Sequence, residues 1–259
     1  MFYPLQIPNI LDPKFKESLD YQEFIPKQLE EYIMCIWSMK SNKKIEEPIT
    51  NVILPDGCID IVINFKTGEI VFSAMSKDTK FMTIQDDIDF MGIRFRPGVF
   101  HLLYEVDSFE VMDRKTRYQR LETFPLHRIL ELKTYSERIH FLEIFLNCIV
   151  EDKKIDPFIS FINQTKNMTD VKYVSELSKK LGYSEKQANR IFIKRCGYSL
   201  KTYLNIIRLH NSLHALIYQD NDLTSIAIES GYYDQSHFIK DLEKYCGVSP
   251  TELIESYKK

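Results

Sequence analysis

The sequence predicts an α+β protein whose N-terminal part is rich in β-strands and whose C-terminal part is all helical. Up to about residue 125, short apolar runs alternate with turn-forming Pro, Asp and Gly, a pattern typical of strands. Beyond that point apolar residues recur at helical spacing, and one segment returns at an offset of 50 residues. A chain of 259 residues with 44% hydrophobic residues can bury one large core or two ordinary ones.

The N-terminal part is predicted to begin with a helix and to continue as strands. Pro26–Met39 carries apolar residues at helical spacing, from Leu29 to Trp37, so we expect a helix there. Val99–Tyr104 is predicted to form a second, short helix after the break at Pro97 and Gly98. Strands are predicted at Asn51–Leu54, Cys58–Phe65, Ile70–Ala74, Phe81–Ile84 and Phe90–Phe95.

The repeated segment in the C-terminal part has two copies, which begin at Ser184 and Asp234 and end at Gly197 and Gly247. Ser184 and Gln187 have the spacing of a capping box, and Asp234 is a favourable N-cap, so a helix begins at each. Each terminal glycine can adopt the left-handed conformation that ends a helix. The repeat therefore predicts two equivalent helices.

Each of these helices is preceded by another predicted helix, over Val171–Leu181 or Leu223–Ser230. The short turn between the paired helices is typical of a helix-turn-helix unit, whose second helix can lie in a DNA major groove. A helix over Leu200–Tyr218 connects the two units. We expect it to hold the two recognition helices, residues 184–196 and 234–246, about one DNA turn (~34 Å) apart.

This double unit resembles the DNA-binding domain of AraC/XylS-family transcription regulators. The residues that carry the resemblance are Leu177, Gly182-Tyr183-Ser184, Arg190-Ile191-Phe192, Gly197-Tyr198-Ser199, Tyr203, Arg208, Ile226-Ala227, Gly231-Tyr232, Asp234-Gln235-Ser236-His237-Phe238 and Gly247-Val248-Ser249-Pro250. The resemblance implies a DNA-binding domain over residues 155–259, with helix-turn-helix units at about 171–197 and 223–247. It also implies a regulator, most often an activator, that binds double-stranded DNA and contacts RNA polymerase.

The N-terminal part has a resemblance of its own. Leu29, Tyr32 and Trp37, with the segments Leu54–Cys58 and Gly92–Gly98, are similar to a β-rich domain of a subset of AraC-type regulators. We expect residues 1–125 to form this β-rich domain, with a cupin-like or barrel-like fold. In the wider family such a domain senses a small-molecule effector, dimerises, or does both.

Residues 126–154 are predicted to be a helical segment followed by a linker. The apolar residues at helical spacing are Ile139, Leu142, Phe145, Leu146 and Ile149. This face could pack on the β-rich domain, or it could form a homodimer as in several members of the family.

Helix geometry separates the buried and exposed faces of the recognition helices. Four and eight residues after each N-cap, we expect buried side chains: Ala188 and Phe192, and Phe238 and Leu242. The opposite face is predicted to contact DNA bases through Glu185, Lys186, Asn189, Arg190, Gln235, Ser236, Ile239 and Lys240. Arg suits a guanine edge, and Asn or Gln suits adenine. Phosphate contacts are predicted for Lys186, Lys194, Lys201, Arg208 and Lys244.

The second unit departs from the family pattern. Lys240 stands where the family usually has Arg, and Asp241 and Glu243 add acidic charge to a helix that is usually basic. Leu242 replaces the common Phe, and Ser212 in the connecting helix stands where Ala is usual. We therefore expect the first unit to contribute more of the sequence specificity.

Arg94 and Arg96 are the candidate effector-binding residues. Their alternation on a predicted strand places them on one face, where two guanidinium groups could bind a carboxylate or a phosphate. The alternative is a structural ion pair with Asp56, Asp60 or Glu105.

The net charge is −3, and residues 156–259 carry 14 basic and 12 acidic side chains, so charge alone does not indicate DNA binding. A protein-interaction module built on the helix-turn-helix pair therefore stays open as the alternative function.

The cysteines predict neither a metal site nor a disulfide framework. They are five, scattered and without a CxxC pair, which favours reduced thiols and a cytoplasmic location. Cys58 with Asp56, Asp60 and His101 is the one group that resembles a nucleophile set, and a core cysteine is the better interpretation. We expect no enzyme activity, no cofactor, and neither a signal peptide nor a membrane-spanning segment.

Overall fold

The computed structural model describes residues 12–73, 76–105, 107, 124–164 and 174–258. Its N-terminal part begins with helix α1, Lys14–Ser18. The strands that follow are β1 (Leu19–Phe24), β2 (Ile33–Ser41), β3 (Ile49–Ile53), β4 (Ile59–Asn64), β5 (Glu69–Ser73), β6 (Lys80–Ile84) and β7 (Asp89–Phe95). The basic run Arg114, Lys115, Arg117 and Arg120 lies outside the described residues.

The strands form two antiparallel sheets. One sheet has five strands in the order β1-β2-β7-β4-β5, and β3 pairs with β6 in a separate ribbon. The expectation of a β-rich N-terminal part is confirmed. The five-stranded sheet is open, with β1 and β5 at its edges, so the described strands do not close into the barrel that was one expected form.

The predicted helix over Pro26–Met39 is wrong. Only Lys27–Leu29 forms a short 3-10 turn, and Ile33–Ser41 is strand β2, paired with both β1 and β7. A central strand is buried on both faces, and every residue from Ile33 to Trp37 is buried. A continuous apolar run of this kind contains helical spacing by coincidence, so its period does not distinguish strand from helix.

Strands β3 to β7 lie where the sequence predicts them, with ends shifted by one or two residues, whereas α1 and β1 were not predicted. Helix α2 spans Val99–Tyr104, as expected. On β4, Ile61 and Ile63 are fully buried, but Asp60 on the opposite face is buried as well. The reason is that Trp37 Nε1 donates to Asp60 Oδ2 at 2.8 Å and Arg94 Nη2 to the same oxygen at 3.2 Å.

The segment after the sheet is helical, with α3 at Leu126–Glu131 and α4 at Tyr135–Val150. Helix α4 starts with a capping box between Thr134 and Glu137. Its apolar face lies against the sheet, because Leu142 and Leu146 are buried in the same cluster as Ile93. The apolar face of α4 therefore packs on the β-rich part of the same chain.

The C-terminal part contains seven described helices. They are α5 (Pro157–Gln164), α6 (Val174–Lys180), α7 (Glu185–Cys196), α8 (Leu200–Tyr218), α9 (Leu223–Glu229), α10 (Gln235–Cys246) and α11 (Pro250–Lys258). Phe192 and Tyr203 lie in one apolar cluster with Phe100 of α2. Val52 and Leu54 of the N-terminal part lie in the cluster of the second unit. Both helix-turn-helix units therefore pack against the β-rich part.

Candidate nucleic-acid interface

The first recognition helix, α7, is fixed at both ends. The Ser184 hydroxyl accepts from Gln187 N at 3.3 Å, and Ser184 N donates to Gln187 Oε1 at 3.0 Å, which is the predicted capping box. Gly197 is left-handed, with φ of +83°, and its N–H donates to Ile193 O. The predicted helix start and stop are both confirmed.

The second recognition helix, α10, has the same construction. Asp234 Oδ1 accepts from His237 N at 2.7 Å, and Gly247 ends the helix with φ of +74°. The helix before it, α9, is capped by Asp222, whose carboxylate accepts from Thr224 N and Ser225 N. Side-chain caps of this kind stabilise a helix by about 1 kcal/mol each, so both units are locally well specified.

The predicted buried face is confirmed in both helices. Ala188, Phe192, Phe238 and Leu242 are all fully buried. On the opposite face Glu185, Lys186, Arg190, Ser236 and Lys240 are exposed, whereas Asn189, Gln235 and Ile239 are half-buried. The exposed face of α7 thus carries Lys186 and Arg190 side by side, and that of α10 carries Ser236 and Lys240.

Two of the half-buried residues have partners inside the protein. Asn189 Oδ1 accepts from Leu200 N at 3.2 Å, which caps the connecting helix α8. Gln235 Oε1 accepts from the Thr224 hydroxyl at 2.9 Å and so joins α10 to α9. If Asn189 or Gln235 contacts a DNA base, its side-chain amide must also keep its hydrogen bond inside the protein.

The predicted phosphate-contacting residues fall into two groups. Lys194, Lys201 and Lys244 are exposed. Arg208 is half-buried, lies 4.5 Å above the Tyr232 ring, and has Nη2 3.6 Å from Asp241 Oδ2. Its guanidinium therefore links α8 to the second unit.

The two recognition helices differ in charge. Helix α7 carries four basic side chains and one acidic one, whereas α10 carries two of each. Because phosphate attraction depends on local positive charge, α7 presents the more favourable surface to DNA.

Arg94 and Arg96 are both buried, with 6% and 1% of their surface exposed. Arg94 Nε lies 3.2 Å from Asp56 Oδ2, and Arg94 Nη2 lies 3.2 Å from Asp60 Oδ2, so the structural ion pair is present. Arg96 follows β7, and its Nε donates to the carbonyl of Glu30. Burial alone would lower the pKa of Arg94, but the two carboxylates keep it well above its usual value.

Cys58 lacks the surroundings of a nucleophile. It is buried, its Sγ lies 3.8 Å from Met34 Sδ, and burial raises the pKa of its thiol well above the usual value. Since the thiolate is the reactive form, this cysteine is a core residue. Within the described ranges, His, Cys, Asp and Glu side chains do not converge in groups of three that could hold a metal ion.

Sequence reasoning missed two features of this surface. Tyr233 is 88% exposed and directly precedes the N-cap of α10, and its equivalence to Tyr183 at the 50-residue offset was the signal that could have found it. The second feature is the contact that the turn between β3 and β4 makes with the helix-turn-helix part. The carbonyl of Gly57 accepts from Tyr198 Oη at 3.1 Å, which the sequence could not indicate because the two residues are 141 positions apart.

The fold and this surface define a protein in which two helix-turn-helix units follow an antiparallel sheet along the chain. Residues 177–256 match the family model of a helix-turn-helix domain, and residues 22–117 match a domain of unknown function, DUF6597. Residues 177–256 are an AraC-type helix-turn-helix domain, and the resemblance to AraC/XylS regulators is confirmed.

Several relatives are named as regulators. An uncharacterized HTH-type transcriptional regulator of Haemophilus influenzae is 27% identical over 110 residues, covering 41% of this chain and 35% of that protein. The Msm operon regulatory protein of Streptococcus mutans is 28% identical over 99 residues, covering 36% of each chain. The matched segment thus spans about a third of the length of these relatives.

Among solved structures, the C-terminal domain of the response regulator yesN from Fusobacterium nucleatum is 26% identical, covering 38% of this chain and 93% of that one, with a TM-score of 0.34. ToxT from Vibrio cholerae is 13% identical, covering 92% of this chain and 98% of that one, with a TM-score of 0.41.

Among the described residues, no helix combines the length and apolar character needed to cross a bilayer.

Proposed function

We propose that the protein is a sequence-specific DNA-binding transcription regulator that inserts α7 and α10 into successive major grooves. The observation that carries this proposal is the construction of α7. Lys186 and Arg190 project to solvent from a helix whose opposite face, Ala188 and Phe192, is fully buried. A helix held in this way keeps its exposed side chains in a fixed orientation, which reading a groove requires. The helix-turn-helix match and the names of the relatives support the same function.

The residues divide into reading and positioning roles. Arg190 has the guanidinium fork that suits the O6 and N7 acceptors of guanine, and Lys186 and Lys240 can each donate to the same acceptors. Lys194 and Lys201 are exposed and suit phosphate oxygens, which fix the register of the protein on the duplex. The charge difference between α7 and α10 supports a larger contribution of the first unit to specificity.

The AraC/XylS resemblance supports three further proposals. The protein acts as an activator that contacts RNA polymerase, it works in the cytoplasm, and it forms a homodimer. The outer face of α4 supports the last proposal, because Ile144 is 54% exposed and has His140 and Cys148 exposed one turn to either side. A second copy of the chain could cover this stripe.

The N-terminal part is proposed to bind a small-molecule effector. A small, open cleft lies over Arg94 and is lined by Pro55, Asp56, Asp60 and Lys80, among others. An anionic effector that entered this cleft would contact Arg94 and Lys80. It would replace the Asp56 carboxylate as the ion-pair partner of Arg94. The cleft adjoins the turn between β3 and β4, which contacts the helix-turn-helix part.

The experiment that tests the proposed function is selection of bound duplexes from a random DNA pool with the purified full-length protein, at two salt concentrations. We expect one recovered site with two motifs, and an affinity that falls steeply with salt because counterions are released from the phosphates. Recovery of no preferred sequence from folded protein, with and without added cell metabolites, would favour the protein-interaction module instead.

A further inference from the structure

The turn between β3 and β4, residues Leu54–Cys58, lies against the connecting helix α8. His210 Nε2 lies 2.8 Å from the carbonyl oxygen of Pro55, and since a carbonyl can only accept, this nitrogen carries the proton. Tyr198 Oη, just before α8, donates to the Gly57 carbonyl at 3.1 Å. His210 and Tyr198 are both buried, so these hydrogen bonds are shielded from water.

The N-terminal part holds this turn from the inside. Arg94 of β7 binds Asp56 at 3.2 Å, and Asp56 Oδ1 in turn accepts from Cys58 N at 2.9 Å. Gly57 has φ of +79°, which favours glycine, and a Cβ added there would lie 2.7 Å from Tyr198 Oη. Backbone conformation and close approach both require glycine at this position.

A second set of contacts reaches the second helix-turn-helix unit. The Thr79 hydroxyl donates to the carbonyl of Tyr245, in the last turn of α10, at 2.5 Å. Val52 and Leu54 are buried in one apolar cluster with Leu213 and Leu242. The same part of the chain therefore binds the first unit, the connecting helix and the second unit.

We propose that the N-terminal part is a clamp that fixes the spacing of the two recognition helices, with the turn Leu54–Cys58 as its contact on α8. This proposal rests on the proposed DNA-binding function. The two units are also joined by α8, which packs on both of them. With the clamp, moving one unit against the other breaks buried hydrogen bonds at Tyr198 and His210, which is costly because their partners would stay unsatisfied.

The clamp has a consequence for DNA recognition. Adding one base pair between the half-sites shifts the second groove by about 3.4 Å and rotates it about the duplex axis. A rigidly spaced pair of helices cannot follow this shift, so one unit loses one or two of its base contacts. A pair of helices whose clamp is weakened can adjust, and it binds the altered duplex almost as well as the original.

The test compares full-length variants on the duplex selected by the wild type and on derivatives with one base pair inserted or deleted between the motifs. Gly57→Ala places a methyl group against Tyr198, and Tyr198→Phe removes only the hydroxyl that binds Gly57. Gly68→Ala is the matched control, because Gly68 has φ of +71° but faces only Leu130 at 3.5 Å. It imposes the same backbone strain with no effect on the clamp.

We expect wild type and Gly68→Ala to bind the altered duplexes about tenfold more weakly, the equivalent of one or two lost base contacts. Gly57→Ala and Tyr198→Phe should lose less than about threefold on the same change, a difference well under 1.4 kcal/mol.

If the folded variants discriminate spacing as sharply as the wild type, the clamp is excluded while DNA binding stands. Should Gly57→Ala fail to fold, Tyr198→Phe decides. A wild type that binds no specific duplex would contradict the proposed function itself.

Discussion

The guanidinium of Arg208 lies 3.6 Å from the carboxylate of Asp241, and this ion pair joins the connecting helix to the second recognition helix. The same guanidinium lies 4.5 Å above the ring of Tyr232. Both contacts lie within the protein, so Arg208 stabilises the second unit whether or not it also reaches a phosphate. Its two roles can be separated by measurement.

Arg208→Ala is expected to destabilise the fold by about 1–2 kcal/mol, because it removes a half-buried stem, a cation–π contact and an ion pair. The salt slope of DNA binding should stay at the wild-type value. Lys201→Ala, at an exposed position, should instead lower that slope by about 0.9 and leave stability unchanged. Thermal unfolding and binding at several salt concentrations measure both effects. An equal loss of slope in both variants would identify Arg208 as a phosphate contact.

Arg190→Ala is expected to cost about 1–3 kcal/mol of specific binding and to relax selection at one base position, because a bidentate guanine contact is lost. Lys240→Ala should cost less, since α10 carries as many acidic as basic side chains. Competition binding on the selected duplex and on single-base variants measures this order. Lys194→Ala serves as a control that should weaken all sequences alike. A larger cost for Lys240→Ala would reverse the ranking of the two units.

Gly92→Ala is expected to destabilise the N-terminal part by about 1–3 kcal/mol through overpacking. Gly92 pairs with Trp37 across β2 and β7, and a Cβ at Gly92 would overlap the indole ring. Denaturant unfolding measures the loss. In the double variant Gly92→Ala with Trp37→Leu, the two costs should be less than additive, because the smaller side chain leaves space for the methyl group. Strict additivity would show that the ring is not the obstacle.

His210 should make stability sensitive to acid. Burial lowers the pKa of His210, and the charge of Arg94 lowers it further. The hydrogen bond to the Pro55 carbonyl and the charge of Asp56 raise it, but the net shift is downward. The unfolded chain therefore takes up a proton at His210 near pH 6.5, where the folded protein resists it, so stability falls as pH drops below about 6.5. His210→Gln keeps a donor for Pro55 without titrating. The fall in melting temperature from pH 7.5 to 5.5 should be smaller in this variant, and an equal fall in both proteins would contradict the assignment.

The helix-turn-helix units were predictable because their signals are local. The spacing of Ser184 and Gln187 and the glycines at 197 and 247 specify where each recognition helix starts and ends, and the structure has both where predicted. Burial of Phe192 and Phe238 follows from helical periodicity alone. Short-range capping and periodicity are the features that a single sequence reports best.

The features that the sequence did not predict depend on contacts between distant segments. Strand β2 is a strand because β1 and β7 pair with both of its edges, and its own apolar run is equally compatible with a helix. The ion pairs of Arg94 with Asp56 and Asp60 were one of two open alternatives. The hydrogen bonds of Tyr198 and His210 to the turn at residues 54–58 leave no trace in local pattern, because they join residues more than 140 positions apart.

The proposed function requires α7 and α10 to read two successive major grooves. The most direct measurement is methylation interference at guanine N7, a major-groove atom, on the duplex selected by the full-length protein. We expect two patches of interference on one face of the duplex, about 10 base pairs apart, and Arg190→Ala should abolish the patch of the first unit. A single patch, or two patches that both survive Arg190→Ala, would contradict the proposed function.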